Sequence, residues 1–259
     1  MVSVVIPALN EEENLRAAVH TVLSAAKAAG GTPLDIILVN DGSTDRTGAI
    51  CDELAREHAF IQVVHHTTNR GQGSAILEGV RLAKHERLTM FPGDDAVALF
   101  TLRSMFLSKH KADYVLAIIL NTEYRSRSRV VLSALYTLVY TTTFGLPIKY
   151  INSPALWPVA MLRRMTLHAR RYSLHAEINV KLLRQPITFL EVEGYMNPTS
   201  VKSSAVRLKN AFEVVRCYLA ICYEVFGTKR RTYAFKAKRI LPPGVERKDM
   251  QAAPSAAER

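Results

Sequence analysis

The sequence predicts an α/β protein built on a mostly parallel sheet flanked by helices, and three observations lead there. Short β-branched runs alternate with longer helical stretches through the first hundred or so residues, which is the pattern of repeated βαβ units. The runs VVI and IILV are apolar throughout rather than alternating, as required when helices cover both faces of a sheet. The chain has 259 residues, 48% hydrophobic and 22% charged, so it can bury one sizeable core or at most two small ones. A peptide, a disordered tail and a disulfide-stapled scaffold are excluded.

In chain order, strands are expected at residues 2–6, 34–40, 61–65 and 88–91, with helices at 14–28, 45–58 and 74–85 between them. A strand over 113–120 then precedes an uncharged stretch, 130–148. Its length suits a membrane span, which needs about 17–25 residues. However, Ser133, Thr137 and Thr141 recur every fourth position behind Arg129, and Gly145 and Pro147 close the segment. An amphipathic helix with a polar stripe is therefore expected, not a span. A helix over 175–184, a strand over 187–192 and a long helix over 204–226 follow. In that last helix Lys209, Glu213, Arg216 and Glu224 make a narrow polar line, so its apolar face is wide. The division expected is one domain, 1–228, with halves 1–98 and 99–228, and a basic tail, 229–259, whose end QAAPSAAER reads as disordered.

Charge separates the halves. Residues 1–100 carry 8 Lys and Arg against 13 Asp and Glu, while residues 101–259 carry 26 against 10. The basic half could meet nucleic acid, anionic lipid or a phosphorylated substrate, but no nucleic-acid recognition motif accompanies it. The three cysteines, Cys51, Cys217 and Cys222, form neither a CxxC pair nor an even framework, which favours a reducing compartment. The apolar run from residue 2 has no basic leader before it, so the start reads as mature structure.

In an open parallel sheet, ligands bind beyond the carboxyl ends of the strands. Acids gather at three such ends: Glu11 and Glu12 after the first strand, Asp41 and Asp45 after the second, and Asp94 and Asp95 after the fourth. A single acidic turn is ordinary helix capping; three along one edge point to a site. Adjacent carboxylates such as Asp94 and Asp95 favour a hard cation, Mg²⁺ or Mn²⁺. The stretch Asn69–Gly73 puts two glycines before a helix, where backbone can approach a phosphate or sugar. It lacks the third glycine of a dinucleotide fingerprint, and no GxxxxGK[ST] occurs, so NAD enzymes and P-loop NTPases drop out. His175 and Glu177 mimic the HxE of zinc deaminases, but the PCxxC partner is absent. His65 and His66 lack further ligand spacing and read as structural.

Taken together, VVIPALNEEENL, ILVNDGSTDRT, NRGQGSAILEGV and FPGDDA, in this order, resemble the nucleotide-sugar domain of family 2 glycosyltransferases with the GT-A fold. The subgroup that loads sugars onto dolichyl or other polyprenyl phosphates, such as dolichol-phosphate mannosyltransferase, is the most similar. The resemblance covers roughly residues 1–225. It implies that 1–98 is the nucleotide-sugar-binding half and 99–228 the acceptor- and membrane-facing half. It further implies that Pro7, Ala8 and Glu11 line the nucleotide pocket, that Asp41 reads the base or ribose, that Gly71 lies against the nucleotide and that Asp94 and Asp95 hold the metal. Where the family usually has Asp-x-Asp, this chain has Pro92-Gly93-Asp94 followed by Asp95: Asp94 matches the second acid, and Asp95 stands in for the missing first one. Arg129 and Ser133 match the spacing of the family's phosphate-binding pair, with Arg125 and Arg127 beside them, and Lys202 precedes the terminal helix as a basic segment does in relatives. Glu177 falls where the family commonly has an acid near the acceptor.

The function expected is inverting, metal-dependent transfer from a UDP- or GDP-sugar to a polyprenyl phosphate, by a cytoplasmic protein attached peripherally to an anionic membrane, with an integral-membrane subunit as a further partner. An anionic phosphate acceptor needs no strong base, so arginines and positioning carry the reaction. Two alternatives stay open. One is transfer to a sugar or lipid hydroxyl with Glu177 as general base, and the other is nucleotide-sugar binding without turnover.

Overall fold

A computed structural model of the protein describes residues 1–121, 127–197 and 208–241, apart from the side chains of 208–212. Arg125, Lys202, the side chain of Lys209, the start of the last helix and the tail beyond 241 therefore lie outside the described residues.

The eight strands form a single sheet in the order β3-β2-β1-β4-β6-β5-β7-β8. β1 (Val2–Ala8), β2 (Leu34–Asn40), β3 (Ile61–His65) and β4 (Arg87–Met90) make the first, wholly parallel half. β5 (Tyr114–Ile119), β7 (Thr188–Gly194) and β8 (Lys238–Arg239) make a second parallel group. Between them β6 (Ala155–Pro158) runs antiparallel to both β4 and β5. Side chains alternate along β1, so Val4 and Ile6 enter one core and Val5 enters the other. The first core holds Val19 and Val22 of α1 (Leu15–Ala28), Leu54 of α2 (Thr47–Glu57) and Met105 of α4 (Leu99–Leu107). The second holds Ile76 of α3 (Gln72–Leu82), Tyr140 of α5 (Arg127–Phe144), Leu162 of α6 (Val159–Arg164), Ile178 of α7 (Leu174–Leu183) and Ile221 of α8 (Leu208–Cys222). Both faces of the sheet are covered, which is why its central strands are apolar without alternation.

Strands β2 and β3 fall on the expected residues. α4, β6, α6 and β8 were not anticipated, because elements of two, four or six residues, or a short mainly apolar run such as LFTLRSMFL, show no clear period to read. α8 ends in a π-helical turn, Tyr223–Thr228.

α5 is amphipathic, as its stripe predicted, but inverted relative to a helix of a soluble core. Thr137, Tyr140 and Phe144 are buried, whereas Val131, Leu132, Leu135 and Leu138 are 67%, 53%, 55% and 57% exposed. On α8 and its π-helical turn, Val215, Leu219, Tyr223 and Phe226 are likewise exposed. The two helices meet through Thr143 and Tyr218, whose hydroxyls lie 2.7 Å apart, and through the stacked rings of Phe144 and Phe226, 5.6 Å between centroids. Among the described residues, no helix is long and apolar enough to cross a membrane.

Candidate functional site

The carboxyl ends of β1, β2 and β4 are tied into one rim by backbone hydrogen bonds. Asp41 N–H donates to Ala8 C=O (2.9 Å), and Gly93 N–H donates to Pro7 C=O (3.2 Å). Pro7 and Ala8 thus sit at the centre of the rim. The loops after β1 and β2 are stitched together reciprocally. Asn10 Oδ1 accepts from Thr44 N–H (2.9 Å), Thr47 Oγ1 from Glu11 N–H (2.8 Å) and Glu12 Oε2 from Arg46 N–H (2.9 Å). Asn and Asp repeat here because their short side chains bond nearby backbone.

On this rim Glu11 and Asp94 face one another electrostatically. Burial pushes the Asp94 carboxyl up; the Ala96 N–H holds it back, Asp95 raises it further, and the positive charge of Arg129 pulls it down. Burial also raises Glu11, against a hydrogen bond from Asn14 Nδ2 (2.9 Å), with Asp94 and Asp45 adding to the rise. Burial raises both acids, with Asp94 acting on Glu11 and Asp95 acting on Asp94, and a hard cation would relieve that accumulation of negative charge. Among the described residues no three His, Cys, Asp or Glu side chains converge on one point. A Mg²⁺-like ion fits nonetheless, since such ions are commonly held by one or two carboxylates with the rest of the shell from phosphates and water.

Asp95 is aimed elsewhere. Its backbone takes a positive φ of 53°, and its carboxyl, raised by burial, is eased by Thr21 and His20 of α1. Asn197 Nδ2 donates to its carbonyl at 2.7 Å. The structure therefore joins Asp94 to Glu11 and Arg129, and Asp95 to α1.

Asp41 is buried, and its carboxylate is engaged by the chain itself. Oδ1 accepts from His66 Nδ1 (2.7 Å) and Arg70 N–H (2.9 Å), and Oδ2 accepts from Gly71 N–H (2.8 Å). It shapes the turn before α3. A carboxylate can only accept, so His66 carries its proton on Nδ1. This makes His66 a partner of the rim, which its lone position in the sequence did not reveal.

Gly71, at φ +91°, and Gly73 have another segment of chain on their bare side. A Cβ on Gly73 would lie 2.5 Å from Arg170 C, and one on Gly71 would lie 2.8 Å from Arg171 Cγ. The glycines admit the segment 166–171, which packs across the turn.

From the second half, Arg129 projects its field onto Asp94 from the first turns of α5, while Arg127 is exposed at the helix start. Ser133 Oγ donates to Tyr150 OH at 3.1 Å. Glu177 is fully enclosed on α7, where its oxygens accept from His168 N–H (3.0 Å), Ala169 N–H (2.9 Å) and Lys181 Nζ (2.7 Å). A general base must reach its substrate, and this enclosure keeps Glu177 from one.

Comparison with known proteins gives a consistent picture. Residues 3–171 match the family model described as "Glycosyl transferase family 2". The undecaprenyl-phosphate 4-deoxy-4-formamido-L-arabinose transferase of Pectobacterium carotovorum is 43% identical over 83 residues, 32% of this chain and 25% of that protein. The polyprenol monophosphomannose synthase of Mycolicibacterium smegmatis is 42% identical over 77 residues, 29% of this chain and 27% of that protein. The chain thus spans about a quarter of the length of each of these two curated relatives, and 36% and 27% of two others. Among solved structures, glucosyl-3-phosphoglycerate synthase from Mycobacterium tuberculosis in complex with Mn²⁺, UDP and phosphoglyceric acid superposes with a TM-score of 0.56 at 14% identity, over 86% of this chain and 78% of that one. At that identity the likeness speaks for the fold, which is GT-A.

Proposed function

The chain belongs to glycosyl transferase family 2, and on that premise we propose that it moves a sugar from a UDP- or GDP-sugar to a polyprenyl phosphate at a membrane surface, with inversion. The observation that carries this reading is α5, a single helix that turns Arg129 toward Asp94 and an apolar face toward the outside. An acceptor with an anionic head and a hydrocarbon tail matches both sides of it.

In this reading the rim residues Pro7, Ala8, Glu11 and Gly71 receive the donor, and Asp41 shapes the turn that faces it. Asp94 and Glu11 would hold a divalent ion, with Asp95 flanking. The ion, Mg²⁺ or Mn²⁺, supplies charge compensation for the departing nucleoside diphosphate. Arg129, with Arg127, Arg125 and Lys202 as further cations, receives the acceptor phosphate, and a guanidinium forks two hydrogen bonds onto such a group. A phosphate oxygen attacks the anomeric carbon from the face opposite the leaving group; the new C–O bond forms as the bond to the diphosphate breaks, and that electron pair leaves with the diphosphate. No proton has to be removed from an ionised acceptor. The enclosure of Glu177 favours this over transfer to a hydroxyl.

Attachment to the membrane is part of the same proposal. Beyond the exposed apolar faces of α5 and α8 lie exposed Arg230, Arg231, Lys236 and Lys238, with Phe235 exposed among them. Apolar side chains bordered by cations suit an interface helix on anionic lipid, each basic residue adding about 1 kcal/mol. The test is to supply labelled UDP-glucose, UDP-GlcNAc or GDP-mannose and Mn²⁺ with vesicles of phosphatidylglycerol containing a polyprenyl phosphate. Label passing into the organic phase, and only with that lipid present, is the expected result. Donor binding with transfer only to a soluble sugar hydroxyl would overturn the acceptor, and no donor binding would overturn the whole reading.

A further inference from the structure

The largest buried ionic cluster of the described residues lies away from the rim. Lys181, at 0% side-chain exposure, pairs with Glu177 Oε1 (2.7 Å, also fully buried) and with Glu224 Oε2 (2.6 Å). Glu224, on the π-helical turn, also meets His168 Nε2 (2.9 Å) and Lys229 Nζ (3.1 Å). Burying charges is costly, and such a cluster is weak evidence for stability as such. What this one grips is a single segment.

The strap 166–171 is held from below at Thr166, His168, Ala169 and Arg171. Lys181 Nζ donates to Thr166 C=O (2.6 Å) and Lys229 Nζ to Thr166 Oγ1 (3.1 Å). His168 N–H and Ala169 N–H both donate to Glu177. At the far end Glu213 of α8 accepts from Arg171 N–H (3.3 Å) and Ser173 Oγ (3.0 Å). The opposite edge of the strap is the one that lies across the glycine turn. Ser74 N–H donates to Arg170 C=O at 2.8 Å, and Gly71 and Gly73 leave no room for a β-carbon beneath Arg170 and Arg171. Gly71 is in turn fixed by Asp41. An unbroken line of contacts therefore runs from α7 and α8, through the strap, to the rim.

We propose that Glu177 is a positioning residue, which with Lys181, Glu224 and Glu213 clamps the strap 166–171 onto the Gly71–Ser74 turn and so sets the shape of the site for a nucleoside diphosphate. The inference rests on the donor-site reading above. Glu177 takes no part in the chemistry; it acts through the strap, so its loss weakens donor binding and leaves turnover at saturation largely intact.

The experiment measures UDP and GDP affinity with Mn²⁺ by calorimetry, together with KM and kcat for the donor, in the full chain and three variants. Glu177→Gln keeps the volume and one acceptor oxygen, but sets its amide NH2 against either the Lys181 ammonium or the Ala169 N–H, both donors. Glu213→Ala loosens the strap's far end without burying an unpaired charge. Gly73→Ala drives a methyl into Arg170 while leaving the ion cluster whole. Each is expected to raise Kd and KM roughly five- to tenfold, the scale of one or two lost hydrogen bonds, with kcat within about twofold. Trypsin should also cut faster after Arg170 and Arg171, reporting a loosened strap. If Glu177→Gln does not fold, the other two variants decide. Faster cleavage with unchanged nucleotide affinity would overturn the proposal, making the cluster a structural clamp only. A wild-type protein that binds neither nucleotide would sink the donor-site reading itself, whereas tight wild-type binding that all variants share overturns only this inference.

Discussion

Helices α1 and α5 contribute to the two cores with opposite kinds of face turned inward. α1 buries Leu15, Ala18, Val19 and Val22, the spacing of an ordinary apolar stripe. α5 buries Thr137 and Tyr140 and leaves Val131, Leu132, Leu135 and Leu138 outside. The first helix belongs to the half with excess acid and the second to the half with excess base. In the acidic half, burial drives folding and the acids are kept for the rim. In the basic half, burial is partly withheld, leaving an apolar surface bordered by cations. The difference teaches that the two halves present different surfaces, a rim of acids in one and an apolar face bordered by cations in the other, and these are the surfaces on which the proposed donor and lipid acceptor rest.

Four measurements break or sharpen this contrast. Asp94→Asn should have the largest effect, lowering kcat about a thousandfold in the Mn²⁺-supported transfer assay, the scale of a lost charge-stabilising group. Near-native kcat would remove the acidic rim from the chemistry. Next, Leu15→Ala should lower unfolding stability by about 2–5 kcal/mol in urea titrations, while Leu135→Ala changes it by about 0.5 kcal/mol or less. Leu135→Glu should instead weaken binding to phosphatidylglycerol vesicles roughly tenfold with an unchanged Tm. Equal stability losses in Leu15→Ala and Leu135→Ala would show that α5 faces a core after all. Third, Arg129→Lys should lose about tenfold to thirtyfold in kcat/KM for the lipid phosphate, because an ammonium cannot reproduce the planar fork; donor affinity should hold.

The smallest effect is on stability against pH, where His175 and Glu224 act with one sign and Glu11 and Asp94 with the other. Burial holds His175 down, from 6.5 to about 4. The unfolded chain therefore takes up this proton first, and stability falls as pH drops from 6.5 toward 4. Burial opposes the charge of Glu224, but hydrogen bonds from His168, Lys181 and Lys229 outweigh it and lower the group from 4.5 to about 2. Its contribution is present above pH 4.5 and is lost as pH falls toward 2. Glu11 and Asp94 are raised, so the folded state gains protons more readily there and their titration opposes acid destabilisation. His175→Phe should flatten the Tm profile between pH 6.5 and 4, and Asp94→Asn should steepen it just above pH 4. A Tm profile identical to wild type in His175→Phe would remove the first assignment.

Much of this was legible residue by residue. The acids at three strand ends, the apolar runs of β1 and β2, and the polar stripe of α5 are local patterns, and the structure keeps each of them. That Asp94 also bears on Glu11 of a different strand end, and that the Asp95 carboxyl is eased by α1, was not legible, since adjacent side chains diverge and Asp95 takes a backbone φ of 53°. Gly71 and Gly73 read correctly as a close approach, but what approaches is Arg170 and Arg171, about a hundred residues on. Glu177 looked like a lone acid in a helix because the His168 and Ala169 N–H groups reach it only once the strap folds back over α7, and Glu224, which shares Lys181 with it, lies far along the chain.

The sequence by itself determined the α/β class, the position of the rim and the excess charge of each half, because strand polarity, turn chemistry and composition act over a few neighbouring residues. The tertiary structure alone decided which face of α5 is buried, how β6 joins the two parallel groups by running against both, and which carboxylates meet. Those outcomes depend on which distant surfaces compete for the same contact. A helix with a polar stripe and an apolar face can be buried on either side, and only the neighbours available, here Tyr150 for Ser133 and Tyr218 for Thr143, choose between them.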